Sequence, residues 1–185
     1  MPESSSSITG GLRSLQAIVF DVDGVLTDGM LGWSTASSEE LKRFSFADIM
    51  GVSLLRRLGL KLALVSGEAS PLVDRYAAKM HLHHVVKGTR DKAGALRDFA
   101  AKFSIPLEQI CFFGDDVNDL FAMEIAGLCA CPSNAATEVR EYVAERGGFI
   151  SIQPGGQGAV RHFTDELLRV RNLRGRDVFL LRPPE

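Results

Sequence analysis

At 185 residues, 45% of them hydrophobic and 24% charged, the chain has room for one domain with a real core. A formal net charge of −2 supplies no bulk attraction to nucleic acid or to a membrane surface. No apolar run approaches the length of a membrane span, and three cysteines without a disulfide-like framework fit a reducing cytoplasm.

Residues 1–12, with Ser4 to Ser7 among them, have neither the apolar core nor the basic start of a secretory signal and read as a disordered leader. The domain proper is expected over 13–172. Leu15 to Phe20 is a short apolar run that reads as a buried strand, and it ends on Asp21 and Asp23. Gly24 follows, free to turn sharply because it lacks a Cβ. Ligands of open α/β sheets lie beyond the carboxyl ends of the strands, and two carboxylates this close repel unless a cation sits between them.

Gly29–Trp33 and Leu41–Phe46 read as the arms of a β-hairpin joined by a polar turn over 34–40. Ile49, Val52, Leu55 and Leu58 form one stripe of a helix over Ala47–Leu58, closed by Gly59. Lys61–Ser66 is the next strand. Ser70 as N-cap and Pro71 at the first position open a helix to Met80. A strand over 83–87, a helix Lys92–Phe103 and a strand Gln109–Phe113 follow, the last running into Asp115, Asp116 and Asp119. A helix through Ala126, a strand Gly127–Cys131, a helix near Ala135–Glu141 and a helix Val160–Val170 complete the alternation, with an arginine-rich tail over 173–185. Strand and helix alternating in this way predict an α/β fold, a Rossmann-like, doubly wound parallel sheet with a small β-hairpin insertion.

In such a sheet four polar clusters share one edge: Asp21 with Asp23, Ser66, Lys92, and Asp115 with Asp116 and Asp119. Carboxylates are hard oxygen ligands suited to Mg²⁺, which also binds substrate phosphate. A hydroxyl and an ammonium hold phosphate oxygens, one carboxylate can attack phosphorus, and a second can serve as acid and base. His81, His83 and His84 lack a matching acidic set and read as a solvated loop, and the terminal arginines as a solvated or subunit-contacting tail.

With these four motifs in order, the chain resembles a haloacid dehalogenase superfamily phosphatase. Asp21–Gly29, the hairpin, Phe44–Gly51 and Gly155–Arg161 are most similar to the 3-deoxy-D-manno-octulosonate (KDO) 8-phosphate phosphatases. The resemblance implies no large cap domain, a Mg²⁺ cofactor, an aspartyl-phosphate intermediate and a phosphorylated 2-keto-3-deoxy sugar acid as substrate. It makes Asp21 the nucleophile and a metal ligand, and Asp23 the acid/base that also binds metal through its backbone carbonyl. Ser66 would hold the phosphoryl group and Lys92 neutralise it. Asp115 would be the third ligand, with Asp116 and Asp119 supporting the ligands from behind. Substrate contacts are implied at Ser45, Asp48, Gly67, Glu68, Arg75 and Lys79, in a cytoplasmic homotetramer whose hairpins close neighbouring sites.

The chain departs from that family at three places. Glu68 stands where Arg is typical, as in the related KDN 9-phosphate phosphatases, whose matching Lys falls at Lys79. Tyr76 and Ala47 stand where Arg is often found. Loss of two guanidinium forks weakens capture of a sugar carboxylate. A phospho-acceptor signalling domain, a phosphatase of unrelated small esters, a D-x-D glycosyltransferase and an idle scaffold are the competing readings.

Overall fold

The computed structural model describes residues 4–34, 36, 40–82 and 84–183. Six strands form one parallel sheet: β1 (Ala17–Phe20), β4 (Lys61–Val65), β5 (His84–Val86), β6 (Ile110–Phe113), β7 (Leu128–Cys131) and β8 (Phe149–Ile150). Their order across the sheet is β5-β4-β1-β6-β7-β8. The expected doubly wound parallel sheet is therefore present, and β1 lies where the winding reverses. Its register pairs Ala17 with both Lys61 and Ile110, so Phe20 is flanked by Leu64 and Phe113.

β1, β6 and β7 are buried on both faces, which is why they read as unbroken apolar runs rather than alternating ones. Ile18, Phe20, Leu62, Leu64 and Phe113 face one core with α1 (Ser4–Ser14), α2 (Phe46–Arg57), α3 (Pro71–Met80) and α7 (Ala159–Val170). Val19, Ala63, Val65 and Phe112 face the other, with α4 (Lys92–Phe103), α5 (Leu120–Ile125) and α6 (Thr137–Glu145). The three thiols are buried and unpaired, and burial pushes Cys131 up to about 12, so they pack as small hydrophobes.

The helices α3 and α4 span the expected residues because their caps are explicit. Ser70 Oγ accepts from the Leu72 N–H, and the Asp91 side chain accepts from the Gly94 N–H. Several elements differ from expectation. The disordered leader is replaced over Ser4–Ser14 by α1, whose Leu12 is buried and whose C-terminal segment is held by the Arg171 guanidinium on the carbonyls of Leu12 and Leu15. The helix placed near 135–141 begins at Thr137 and runs to Glu145, and β8 was not foreseen. The tail is not free: α8 (Gly175–Phe179) buries Val178 against Leu54 and Leu168, and Arg57 stacks on the Phe179 ring at 4.9 Å.

The hairpin is shorter than expected, with β2 (Gly32–Trp33) paired antiparallel to β3 (Glu40–Leu41). Most of its turn lies outside the described residues, as does His83. His84 is not solvated as expected but packs edge-on against Phe99 at 5.1 Å. Trp33 and Leu41 are exposed, as are Met30 and Leu31 beside them. Among the described residues no helix is long and apolar enough to cross a membrane.

Candidate active site

The carboxyl end of β1 opens into a tight loop. Val22 O accepts from the N–H groups of Leu26 and Thr27, and the buried Thr27 hydroxyl accepts from Gly24 and Gly29 N–H. Gly24 has φ +88°, and a Cβ there would lie 2.0 Å from Asp115 Oδ2, so only glycine lets the two loops close on each other. A second close approach braces this loop from the far end of the chain. A Cβ on Gly155 would lie 1.6 Å from the Gly24 carbonyl oxygen, while the Gly156 N–H donates to Val25 O at 2.9 Å.

Lys92, the first residue of α4, is buried and joins β1 to the loop after β6. Its Nζ donates to Asp21 Oδ1 at 2.8 Å and to Asp119 Oδ1 at 2.7 Å. The second Asp119 oxygen accepts from the backbone N–H groups of Asp115 (2.9 Å) and Asp116 (3.2 Å), fixing that loop. The Asp116 carboxylate caps the following turn through the Val117 N–H. One oxygen from each of Asp21, Asp115 and Asp119 lies within 4.8 Å of the others. Among the described residues this is the one such group of metal-capable side chains.

A cavity of about 300 Å³ opens over this cluster. Its lining joins Asp21, Asp23, Asp115 and Asp116 to Lys92, Gly67, Glu68 and Asn118. Five carboxylates and one ammonium therefore line the cavity, and that ammonium is already paired. Burial raises Asp21 to about 7, with help from the Asp119 charge and against the pull of Lys92. Burial likewise raises Asp115 to about 8, with Asp21, Asp119 and Asp116 adding repulsion. Such a set of hard oxygen donors, short of positive charge, fits a small divalent cation.

Ser66, at the end of β4, is buried one residue before the lining Gly67, and its Oγ accepts from the Glu68 N–H at 3.0 Å. The acids at the ends of β1 and β6, Lys92, Gly67 and Glu68 therefore gather as the sequence predicts. Ser45, Asp48, Arg75 and Lys79 are not in this lining. Ser45 caps α2 through the Ala47 N–H. Asp48 is buried, and its two oxygens accept from the Gly158 and Arg161 N–H groups at 2.9 Å each, so it caps α7 from α2. Arg75 is exposed, and Lys79 lies over the Phe46 ring at 5.8 Å. Tyr76 is a core residue, stacked on Phe44 with centroids 4.5 Å apart. Two residues at the site escaped sequence reasoning. Asn118 lines the cavity, and Lys42 Nζ lies 2.6 Å from Asp23 Oδ1. Asn118 stands among the flagged acids, whereas Lys42 carries no local signal.

Known proteins resemble this chain in sequence and in backbone. The haloacid dehalogenase-like hydrolase family matches residues 68–146. The KDO 8-phosphate phosphatase of Escherichia coli K12 is 30% identical over 164 residues, 89% of this chain and 85% of the relative. That of Haemophilus influenzae is 31% identical over 160 residues, 86% of each. Among solved structures, the KDO 8-phosphate phosphatase of Moraxella catarrhalis, in complex with magnesium, phosphate and KDO, superposes with TM-score 0.85. It is 30% identical over 95% of this chain and 97% of that one. A haloacid dehalogenase superfamily hydrolase of Legionella pneumophila gives TM-score 0.88 at 28% identity, covering 95% and 93%. Likeness of this extent, in sequence and in backbone alike, means that the chain belongs to the KDO 8-phosphate phosphatase family of haloacid dehalogenase-like hydrolases and acts on phosphate monoesters.

Proposed function

We propose that the chain hydrolyses a phosphorylated 2-keto-3-deoxy sugar acid, KDO 8-phosphate or a related nonulosonate 9-phosphate, with Mg²⁺ and through an aspartyl-phosphate. The observation carrying this reading is the buried Asp21–Lys92–Asp119 chain beside Asp115 at the floor of the cavity. Asp21 is the nucleophile: a carboxylate oxygen forms the new P–O bond as the ester P–O bond breaks. Asp23 gives its proton to the departing alkoxide oxygen. It then takes a proton from the water that attacks phosphorus, and the second P–O cleavage returns Asp21. Lys92 holds Asp21 in line and offsets charge on the transferring group, with Ser66 and the Gly67 backbone as further donors. Carboxylates of Asp21 and Asp115 and the Asp23 carbonyl would hold the cation, which when bound offsets the charge of the carboxylates and phosphoryl oxygens.

The exposed Met30, Leu31, Trp33 and Leu41 favour a homotetramer in which one subunit's hairpin meets its neighbour's site. Glu68, Arg75 and Lys79 are the candidate specificity residues. A second reading, a phosphatase of unrelated small phosphate esters, is favoured by one observation: among the described residues no arginine stands in the lining. A phosphate-release screen with Mg²⁺ separates them, using KDO 8-phosphate, KDN 9-phosphate, N-acylneuraminate 9-phosphate and hexose phosphates. An ulosonate ester should lead by about tenfold or more in kcat/KM, roughly 1.4 kcal/mol in transition-state binding. Equal turnover of hexose phosphates removes the sugar-acid claim.

A further inference from the structure

We infer that Lys42 is a positioning residue that orients the acid/base Asp23. The inference rests on the role proposed for Asp23 above. Lys42 follows β3 on the return arm of the hairpin, between exposed Leu41 and exposed Arg43. Yet its side chain is only 4% exposed, against 75% for Arg43. A lysine at such a site normally runs its stem along apolar surface and keeps its ammonium in water. Here the ammonium turns inward and, among the described residues, Asp23 Oδ1 at 2.6 Å is its only hydrogen-bond partner. Taking an ammonium out of water is costly unless it is paired, so the pair is held by its surroundings rather than by chance contact.

Neighbours of Lys42 on the same arm supply those surroundings. Glu40 accepts from Ser70 Oγ at 2.9 Å, and Arg43 Nε donates to Asp28 at 2.7 Å. Phe44 bridges Thr27 in an antiparallel backbone pair. Three ties independent of Lys42 therefore hold this arm against both the catalytic loop and the start of α3. With Oδ1 of Asp23 fixed by Lys42, Oδ2 has no partner among the described residues, while Asp23 lines the cavity. Oδ2 is thus the oxygen aimed to give the proton to the leaving alkoxide and to take one from water. The hairpin, through Lys42, sets the direction of that transfer.

Leaving-group dependence tests this. The probes are p-nitrophenyl phosphate, whose phenolate departs without a proton, and the alkyl sugar phosphate that ranks first in the screen above. Lys42→Met should lower kcat/KM on the alkyl ester about 30-fold or more, chiefly in kcat, and on the aryl ester less than about threefold. Lys42→Arg, which restores a buried donor, should recover most of the loss. Equal losses on both esters, or no loss on either, would overturn the inference. Thermal melting identifies a variant lost to unfolding, in which case Lys42→Gln is read by the same ratio. Asp23→Asn is run in parallel. If it too loses equally on both esters, the acid/base reading itself has failed. If it shows the dependence and Lys42→Met does not, only the role of Lys42 has.

Discussion

The floor of the cavity and the hairpin above it are held in opposite ways. The floor is buried charge: Asp21 and Asp119 share Lys92, and each group sits at the end of an element fixed on both sides by the sheet or its helices. The hairpin exposes its apolar side chains and has two residues in each strand. Its ties to the body lie on the return arm: polar contacts at Glu40, Lys42 and Arg43, and at Phe44 a backbone pair with Thr27 and a ring stacked on Tyr76. The contrast teaches a division of labour. Asp21 and the metal-capable acids sit on elements locked into the sheet, whereas the hairpin meets the site only through its return arm, at Asp23 and Asp28.

The contrast breaks first if the floor tolerates change. Asp21→Asn keeps shape and removes the oxygen proposed to attack phosphorus, so steady-state phosphate release should fall by about a thousandfold or more with an unchanged circular dichroism spectrum. Lys92→Met should cost about a hundredfold in kcat. It should also cost about 3–5 kcal/mol in denaturant unfolding, because two buried carboxylates lose their counter-charge. Retained activity in either variant would mean that the floor is not the seat of catalysis.

Asp48 tests the region between the two. Asp48→Asn leaves the cavity lining intact and weakens the cap on α7, so stability should fall by about 1–2 kcal/mol while kcat changes less than about threefold. A large loss of kcat at full stability would return Asp48 to the substrate.

Titration sharpens the contrast further. Asp21 and Asp115 are raised to about 7 and about 8 by burial and mutual repulsion, from a usual value of 3.8. Between that value and those raised ones the folded chain binds more protons than the unfolded chain. Cation-free stability should therefore decline as pH rises from about 4 to about 8. Mg²⁺ bound among these acids would relieve the repulsion, so its gain in Tm should be larger near pH 8 than near pH 5. A gain independent of pH would separate cation binding from these two acids. The smallest effect belongs to the hairpin: Trp33→Ser should leave kcat/KM for p-nitrophenyl phosphate within about twofold, while loosening self-association measured by sedimentation.

The sheet and the acids at its edge were legible because their signals are local. Ala17–Phe20 is apolar on both faces and runs into a D-x-D, and Ser70-Pro71 marks a helix start. What was not legible depends on distant partners. α1 hides in a serine-rich stretch and forms because Leu12 and Leu15 reach the core. Asp48 reads as an ordinary acid in a first helical turn, and its partners at Gly158 and Arg161 lie more than a hundred residues on. β8 has two residues after paired glycines, too few for any period to show. Lys42 sits in a charged run, Glu39-Glu40-Leu41-Lys42-Arg43, where nothing distinguishes the one side chain that turns inward.

The bare backbone of Gly155 against the carbonyl of Gly24 has a consequence for how this protein can be altered. The loop that follows Asp21 is moulded against a segment encoded some 130 positions downstream, with no gap even for a methyl group. Chimeras that exchange the last third of the chain must therefore carry a side-chain-free residue to that spot. Otherwise Asp21 is pushed out of line by a graft that never touches it.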